Sequence, residues 1–242
     1  MVGTGHRPWC CCERGATAGV LRGRSLVERS GRQCSVAIGS GEVNSDQEMT
    51  ANLNDCKGCT ACDLSTTRQT VVISRGNSSS RLMLIGEAPG AQEDAEGRPF
   101  VGRSGRALDA LLMEVGLDPE QDLYVCNAIK CRPPNNRRPK KGELRSCRPW
   151  LEQQLALVDP AVIVLTGATA VEAILGIKGG MTQLRGQWQS WEGRAVMPIF
   201  HPAYLLRNPS REAGAPLDLT RQDLAAVRQR LCEPWPDSGS DP

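Results

Sequence analysis

Cysteine is the residue type that says most about the chemistry of this chain, which contains 11 cysteines among 242 residues. Three of them recur at intervals of three, at Cys56, Cys59 and Cys62, and Cys131 and Cys147 follow much later. We expect a cytosolic protein, because the chain shows no apolar stretch typical of a secretory signal. An odd cysteine count in such a protein indicates metal ligation rather than a disulfide framework. Four thiolates can close a zinc site or hold an iron–sulfur cluster, and spacing alone leaves both open.

The spacing also leaves open which cysteines would bind a metal. Cys56-x2-Cys59 is as regular as the pair formed by Cys59 and Cys62, so Cys56 could replace Cys59 as the first ligand. Cys126, on a predicted strand, and Cys232, in the last predicted helix, are better explained as thiols without a metal.

A second group of reactive side chains lies in residues 86–105, GEAPGAQEDAEGRPFVGRSG. This segment follows a short apolar run typical of a buried strand and precedes a helical pattern, which is where open α/β sheets place ligands. It lacks the signatures of a P-loop and of a dinucleotide fold. Its glycines, Gly86 among them, permit close approach of the backbone to a ligand. Three carboxylates accompany them, on Glu87, Glu93 and Asp94.

Imidazole chemistry in the folded part of the chain falls to His201, because the only other histidine is His6. His201 follows a predicted strand, and its imidazole can donate a hydrogen bond to a developing anion. Beyond it, Leu205, Leu206 or Arg207 could fill a gap left in a base stack. The basic run at residues 130–141 offers a local positive face for phosphates, although the net charge is only +2.

Strands that alternate with helices predict an α/β fold with a mainly parallel sheet. We expect an N-terminal extension without stable order at residues 1–50, one domain at 51–233 and a loose tail at 234–242. Met49 stands just before the folded pattern and is a candidate start site. The predicted strands cover residues 71–75, 82–86, 123–126 and 161–166, with a hairpin at 187–198 turning at Glu192-Gly193. The predicted helices cover residues 104–115, 143–158, 168–175 and 219–231.

Four strings of the sequence together resemble the family 4 uracil-DNA glycosylases, the iron–sulfur branch of the uracil-DNA glycosylase superfamily. They are CTACDL, GEAPGAQEDAEGRPFVGRSG, NAIKCRPPNNRRP and HPAYLLRNP. They occur in the order that this family shows, and the resemblance extends from about Cys59 to the last helix. It implies a three-layer α/β/α fold with a mainly parallel four-stranded central sheet. It also implies that residues 51–233 form a uracil-DNA glycosylase domain.

The resemblance further implies the ligands and the pocket. A structural [4Fe–4S] cluster would be bound by Cys59, Cys62, Cys131 and Cys147. A uracil pocket would be lined by the backbone of Gly86, Glu87 and Ala88. In that pocket Phe100 would stack on the base, Asn127 would contact its O4/N3 edge, and His201 would donate to O2.

The implied reaction is hydrolysis of the N-glycosidic bond of deoxyuridine, which releases uracil and leaves an abasic site. The base must first be flipped out of the stack, and Leu205, Leu206 and Arg207 would form the wedge. Asn136 would hold its loop or contact DNA. Glu87 and Glu93 are the candidates to orient the attacking water, and Glu93 is also the candidate to exclude the thymine methyl. We expect a monomer that acts on single- and double-stranded uracil-containing DNA and has no membrane partner.

Two other interpretations compete with this one. A non-enzymatic nucleic-acid-binding module with a structural metal would explain the cysteines and the basic loop, but not GEAPG or the histidine motif. A relative that captures uracil-containing DNA through a histidine is disfavoured, because the loop after Cys131 contains none.

Overall fold

The structure is a computed structural model that describes residues 55–233. The predicted N-terminal extension, the candidate start at Met49 and the predicted tail lie outside the described residues. The strands are β1 Arg75–Gly76, β2 Leu82–Gly86, β3 Tyr124–Asn127, β4 Val162–Thr166, β5 Gln189–Trp191 and β6 Arg194–Ile199. The helices are α1 Ala91–Glu96, α2 Arg103–Glu114, α3 Lys141–Val158, α4 Ala168–Leu175, α5 Met181–Leu184, α6 Pro202–Arg207 and α7 Pro216–Cys232. Two 3-10 turns cover Asp63–Thr66 and Pro134–Asn136.

The strands form a six-stranded sheet in the order β1-β3-β2-β4-β6-β5. The four central strands are parallel, and β1 and β5 are added antiparallel at the two edges. The predicted parallel sheet is therefore confirmed as the centre of a larger mixed sheet. The chain leaves β2 for β3 on one side, whereas β4 lies on the other side. This reversal creates the crevice at the carboxyl ends of the strands where α/β folds bind ligands.

Helices cover both faces of the sheet, which confirms the three layers. In β2, Leu82 and Leu84 pack with apolar side chains of α2 and α7. The alternate residues Met83 and Ile85 pack with side chains of α3 and α4 on the other face. Every residue of β2 and β4 is buried, as expected for central strands of a parallel sheet that is covered on both sides.

Local patterns located most of the elements well. The hairpin is confirmed, with Glu192 (φ 47°) and Gly193 (φ 75°) in the left-handed region that two-residue hairpin turns require. Three short helices were not predicted: α1 lies inside the segment interpreted as a loop, α5 lies between α4 and β5, and α6 follows His201. Among residues 55–233, none of the helices has the length and apolarity that crossing a bilayer requires.

Candidate active site and cysteine cavity

An open cleft of about 380 Å³ lies at the carboxyl ends of the central strands. It collects predicted site residues that are far apart in the sequence. Those that line it are Glu87, Ala88, Glu93, Phe100, Asn127, Asn136, His201 and Arg207. The segment after β2, the end of β3, the basic loop and the start of α6 therefore meet at one place.

Gly86, the last residue of β2, supports the back of this cleft. A Cβ atom placed on Gly86 would lie 2.4 Å from both Asn127 Oδ1 and Phe100 Cζ. Gly86 and Asn127 are paired in the parallel register of β2 and β3. The predicted aromatic ring and the predicted amide thus meet over a residue that has no side chain, and any other residue there would displace one of them.

Phe100 adopts a backbone conformation that is unfavourable for a residue with a side chain. Its φ is 55°, in the left-handed region, which costs about 1–3 kcal/mol for a bulky residue. Gly105 of α2 makes the conformation possible, because a Cβ atom there would lie 1.9 Å from the Phe100 carbonyl oxygen. The close approach of α2 holds the ring, which is 7% exposed, against the cleft.

Glu93 fastens the two ends of the segment around Phe100. Its Oε1 accepts the backbone N–H of Gly102 at 2.8 Å, and its Oε2 accepts that of Gly90 at 3.1 Å. Both carboxylate oxygens therefore hold the loop. Asp94 is directed away from the cleft, since its side chain accepts the backbone N–H groups of Gln69 and Thr70.

His201 is oriented by the first turn of α6. Its Nδ1 accepts the backbone N–H of Ala203 at 3.2 Å, so the neutral imidazole carries its proton on Nε2. Burial lowers the pKa of His201; Glu87 opposes this shift and Arg207 adds to it. From behind, Gly167 (φ 84°) allows close packing, because a Cβ there would lie 3.0 Å from His201 Cβ. The site thus contains a neutral hydrogen-bond donor with a fixed tautomer.

Glu87 is held by a residue that the sequence analysis did not identify. Its Oε2 accepts a hydrogen bond from the hydroxyl of Thr169, in the first turn of α4. The same hydroxyl oxygen accepts a hydrogen bond from Arg138 Nε at 3.0 Å. No local motif relates these positions, which are separated by as many as 82 residues.

The three residues predicted to form a wedge do not share one environment. Leu205 is 2% exposed and packs in the core, because α6 turns its side chain inward. Leu206 is half-buried and Arg207 is exposed, and the two line a second open cavity next to the cleft. Tyr204 of the same helix is 37% exposed and packs on Phe200, with ring centroids 5.0 Å apart. The sequence analysis assigned no role to this residue.

The basic loop is braced onto α3. Arg137 donates to both carboxylate oxygens of Glu143, and the backbone N–H of Lys140 also donates to it. The pKa of Glu143 is consequently lowered, chiefly by its hydrogen bond with Arg137. Asn136 Oδ1 accepts from Arg132 Nε at 2.7 Å, so Asn136 holds its loop and also faces the cleft.

The four predicted cluster ligands line one small cavity beneath this loop, and Cys56 lines it as well. Three sulfur atoms accept N–H hydrogen bonds. Trp150 Nε1 donates to Cys59 Sγ at 3.2 Å, Arg68 to Cys131 at 3.3 Å, and the backbone of Lys130 to Cys147 at 3.3 Å. Cys126 lies elsewhere, in the core. Within residues 55–233 no group of histidine, cysteine and acidic side chains is arranged to hold a single metal ion.

Comparison with known proteins assigns the family. The model of the uracil DNA glycosylase superfamily matches residues 73–225. The type-4 uracil-DNA glycosylase of Thermotoga maritima is 48% identical over 158 residues, covering 64% of this chain and 82% of that protein. The type-4 enzyme of Sulfurisphaera tokodaii is 37% identical over 185 residues, covering 73% and 81%. The type-5 uracil-DNA glycosylase of Pyrobaculum aerophilum is 32% identical over 171 residues, covering 64% and 72%. On these matches the chain belongs to the type-4 uracil-DNA glycosylases of the uracil-DNA glycosylase superfamily.

Proposed function

We propose that this protein is a monofunctional uracil-DNA glycosylase of base-excision repair, which hydrolyses the N-glycosidic bond of deoxyuridine in DNA. The observation that supports this most directly is the meeting of Phe100, Asn127 and His201 in one cleft. An aromatic face, an amide and an imidazole donor are the three groups that a flipped uracil requires. The fold belongs to a family whose curated relatives are named for this activity.

Uracil recognition follows from the groups around Gly86. The Asn127 amide can accept from N3–H and donate to O4 of uracil, whereas cytosine presents an exocyclic amine and an unprotonated N3. A site built to match one hydrogen-bonding edge leaves buried groups unpaired with the other, which is the stronger source of discrimination. Phe100 provides the apolar face on which the base would stack. Glu93 holds the loop that carries Phe100, and its side chain is our candidate for excluding the thymine methyl.

His201 stabilises the leaving group in this proposal. As the bond between C1′ and N1 breaks, positive charge develops on the sugar and negative charge on uracil. The Nε2–H of the neutral imidazole would donate to uracil O2, where that negative charge accumulates. The donor is in place before the reaction, because Nδ1 is already occupied by the N–H of Ala203. Water then adds to C1′ and loses a proton, which completes the hydrolysis.

Glu87 is the better of the two candidates for orienting that water. Both oxygens of Glu93 accept backbone N–H groups, so water would have to compete with the bonds that shape the loop. Glu87, by contrast, engages Oε2 with Thr169, and its second oxygen makes no hydrogen bond within the described part of the chain. Its electrostatic interaction with His201 places it beside the same reaction centre.

The DNA would lie across the basic loop and α6. Arg207 is exposed at the rim and Leu206 is half-buried beside it, so these two are the proposed contacts that replace the flipped base. Asn136 would contact the strand from the opposite rim. We expect the protein to act as a monomer on both single- and double-stranded DNA.

The cysteine cavity is the proposed site of a [4Fe–4S] cluster bound by Cys59, Cys62, Cys131 and Cys147. The donor set fits this group: four cysteines share one cavity, and several sulfurs accept N–H hydrogen bonds of the kind that stabilise thiolate ligands. When bound, the cluster would cross-link residues 59–62 to the basic loop and α3. The residues of the cleft perform the reaction itself.

Oligonucleotides with a single deoxyuridine test the proposal. Incubation of single-stranded and duplex forms with the purified protein, followed by alkali, should cleave both at the uracil position. Matched oligonucleotides with cytosine or thymine at that position should stay intact. If neither uracil substrate is cleaved but both are bound, the non-enzymatic DNA-binding interpretation replaces this one.

A further inference from the structure

We propose that Thr169 is a positioning residue for hydrolysis, which together with Arg138 forms a one-directional hydrogen-bond chain that holds the Glu87 carboxylate aimed at the attacking water. This inference depends on the proposed function of Glu87. The observation behind it is the junction of Arg138, Thr169 and Glu87 at the first turn of α4.

The direction of this chain is fixed by which groups can donate. The Arg138 guanidinium has donors only, and its Nε–H points to Thr169 Oγ1 at 3.0 Å. A hydroxyl has a single proton, and the oxygen that accepts from Arg138 gives that proton to Oε2 of Glu87. A charge-assisted hydrogen bond of this kind is short and directional. The arrangement therefore restricts the rotation of the Glu87 carboxylate.

The same turn also supports the other reacting side chain. Gly167 packs against His201, with the position of its absent Cβ 3.0 Å from His201 Cβ, and Thr169 lies two residues further on. Thr169 is 2% exposed, so its hydroxyl cannot exchange these partners for solvent. One buried turn thus sets the position of the donor to the leaving group and of the group that orients water.

Other charged groups act on Glu87 as well. His201 stands beside it, and Arg138 forms an ion pair with Glu172 at 2.8 Å behind Thr169. The remaining charged side chains around the cleft are Glu93, Arg137 and Arg207. Removal of the Thr169 hydroxyl therefore breaks two hydrogen bonds, the one that it donates to Glu87 and the one that it accepts from Arg138.

The test compares Thr169→Val, which keeps the shape and removes the hydroxyl, with Thr169→Ser, which keeps the hydroxyl. We expect kcat of the valine variant to fall about 10- to 100-fold, which is less than the roughly 10²- to 10⁴-fold contribution of a general acid–base group itself, because Glu87 is retained. KM should stay unchanged, because Thr169 does not line the cleft where the base would bind. The serine variant should restore wild-type kcat, because it returns the hydrogen bond to Glu87. Thr220→Val, which removes another buried threonine hydroxyl in α7 at a position that does not line the cleft, should match the wild type in kcat and KM.

A double-mutant cycle separates positioning from a general structural effect. In a Glu87→Gln background, Thr169→Val should cost no further activity, since the group that it positions is already lost. An equal loss in both backgrounds, or failure of Thr169→Ser to restore kcat, would overturn the inference. Failure of the wild-type protein itself to release uracil would instead overturn the proposed function. Affinity for uracil-containing DNA and the visible absorption of the cluster should be unchanged in all the threonine variants.

Discussion

Two substitutions of His201 should distinguish its contribution to catalysis from its contribution to stability. His201 has two functions in the structure: Nε2 faces the cleft, and Nδ1 accepts the N–H of Ala203 at the start of α6. His201→Ala removes both. His201→Asn replaces the Nε2–H by an amide on a shorter side chain, which does not extend as far into the cleft, but keeps a side-chain oxygen that is favourable at a helix N-terminus.

The expected size of each effect follows from these contacts. Loss of one preorganised donor to a developing anion costs about 10²- to 10³-fold in kcat, or about 2.7–4 kcal/mol. Loss of an N-terminal helix cap costs about 0.5–2 kcal/mol of stability. We therefore expect both variants to lose turnover to the same extent. Only the alanine variant should also show a lower Tm.

The assay is single-turnover release of uracil from a labelled oligonucleotide, with affinity measured separately for the same DNA. Affinity should change little, because the donor acts mainly on charge that appears in the transition state. A His201→Asn variant with wild-type turnover would refute the assignment of the donor.

Protonation of His201 provides an independent check. Burial depresses the folded-state pKa below the ordinary 6.5, so the imidazole is neutral at neutral pH. Wild-type activity should therefore not fall as the pH rises from 6.5 to 8.5, whereas an imidazolium donor would require such a fall. The same lowered pKa also predicts how stability depends on pH. Below pH 6.5 the unfolded chain takes up this proton before the folded chain does, so the wild type should lose stability there relative to His201→Asn.

Four further predictions concern other parts of the structure. Gly86→Ala should lower kcat/KM at least about 100-fold, because the new Cβ would lie 2.4 Å from both the Phe100 ring and the Asn127 amide oxygen. Wild-type kinetics of this variant would contradict the contact. Cys59→Ser should lose iron and the brown absorption of the purified protein while Cys56→Ser keeps both, and the opposite result would exchange their assignments. Leu206→Ala should slow uracil release about 10-fold from duplex DNA and less from single strands, where no stack is opened, so equal losses would exclude a wedge. Leu205→Ala should not change uracil release from duplex DNA relative to single strands, but it should lower the free energy of unfolding by about 2–5 kcal/mol in denaturant titration.

The central sheet was predictable because its strands are short apolar runs and its helices have one apolar face. The predicted helix at residues 168–175 coincides with α4, and that at 104–115 differs from α2 by one residue at each end. The edge strand β1 was placed a few residues too early, since it has only two residues and no pattern of its own. Local periodicity thus determines the elements that lie at the centre of the core.

The features missed by sequence analysis depend on contacts between distant residues. Helix α1 has six residues, and Glu93 bonds both to Gly90 at its start and to Gly102, which precedes α2. Leu205 and Leu206 look equivalent in the sequence, and only the rotation of α6 buries one of them. The link from Thr169 to Glu87 joins two strand ends that become neighbours only in the folded sheet.

Lys130 links the cysteine cavity to the cleft, because it bonds both to a cysteine of the cavity and to a residue that lines the cleft. Its amino group, within a residue that is 1% exposed, donates to the Asn127 carbonyl at 2.6 Å, and its backbone N–H donates to Cys147 Sγ. Burial of an ammonium group is costly unless negative charge compensates it. The thiolates of a bound cluster would supply that charge within the same cavity. Loss of the cluster would then leave Lys130 uncompensated and disturb the strand end that presents the Asn127 amide. A cluster that takes no part in hydrolysis would in this way still determine how accurately uracil is recognised.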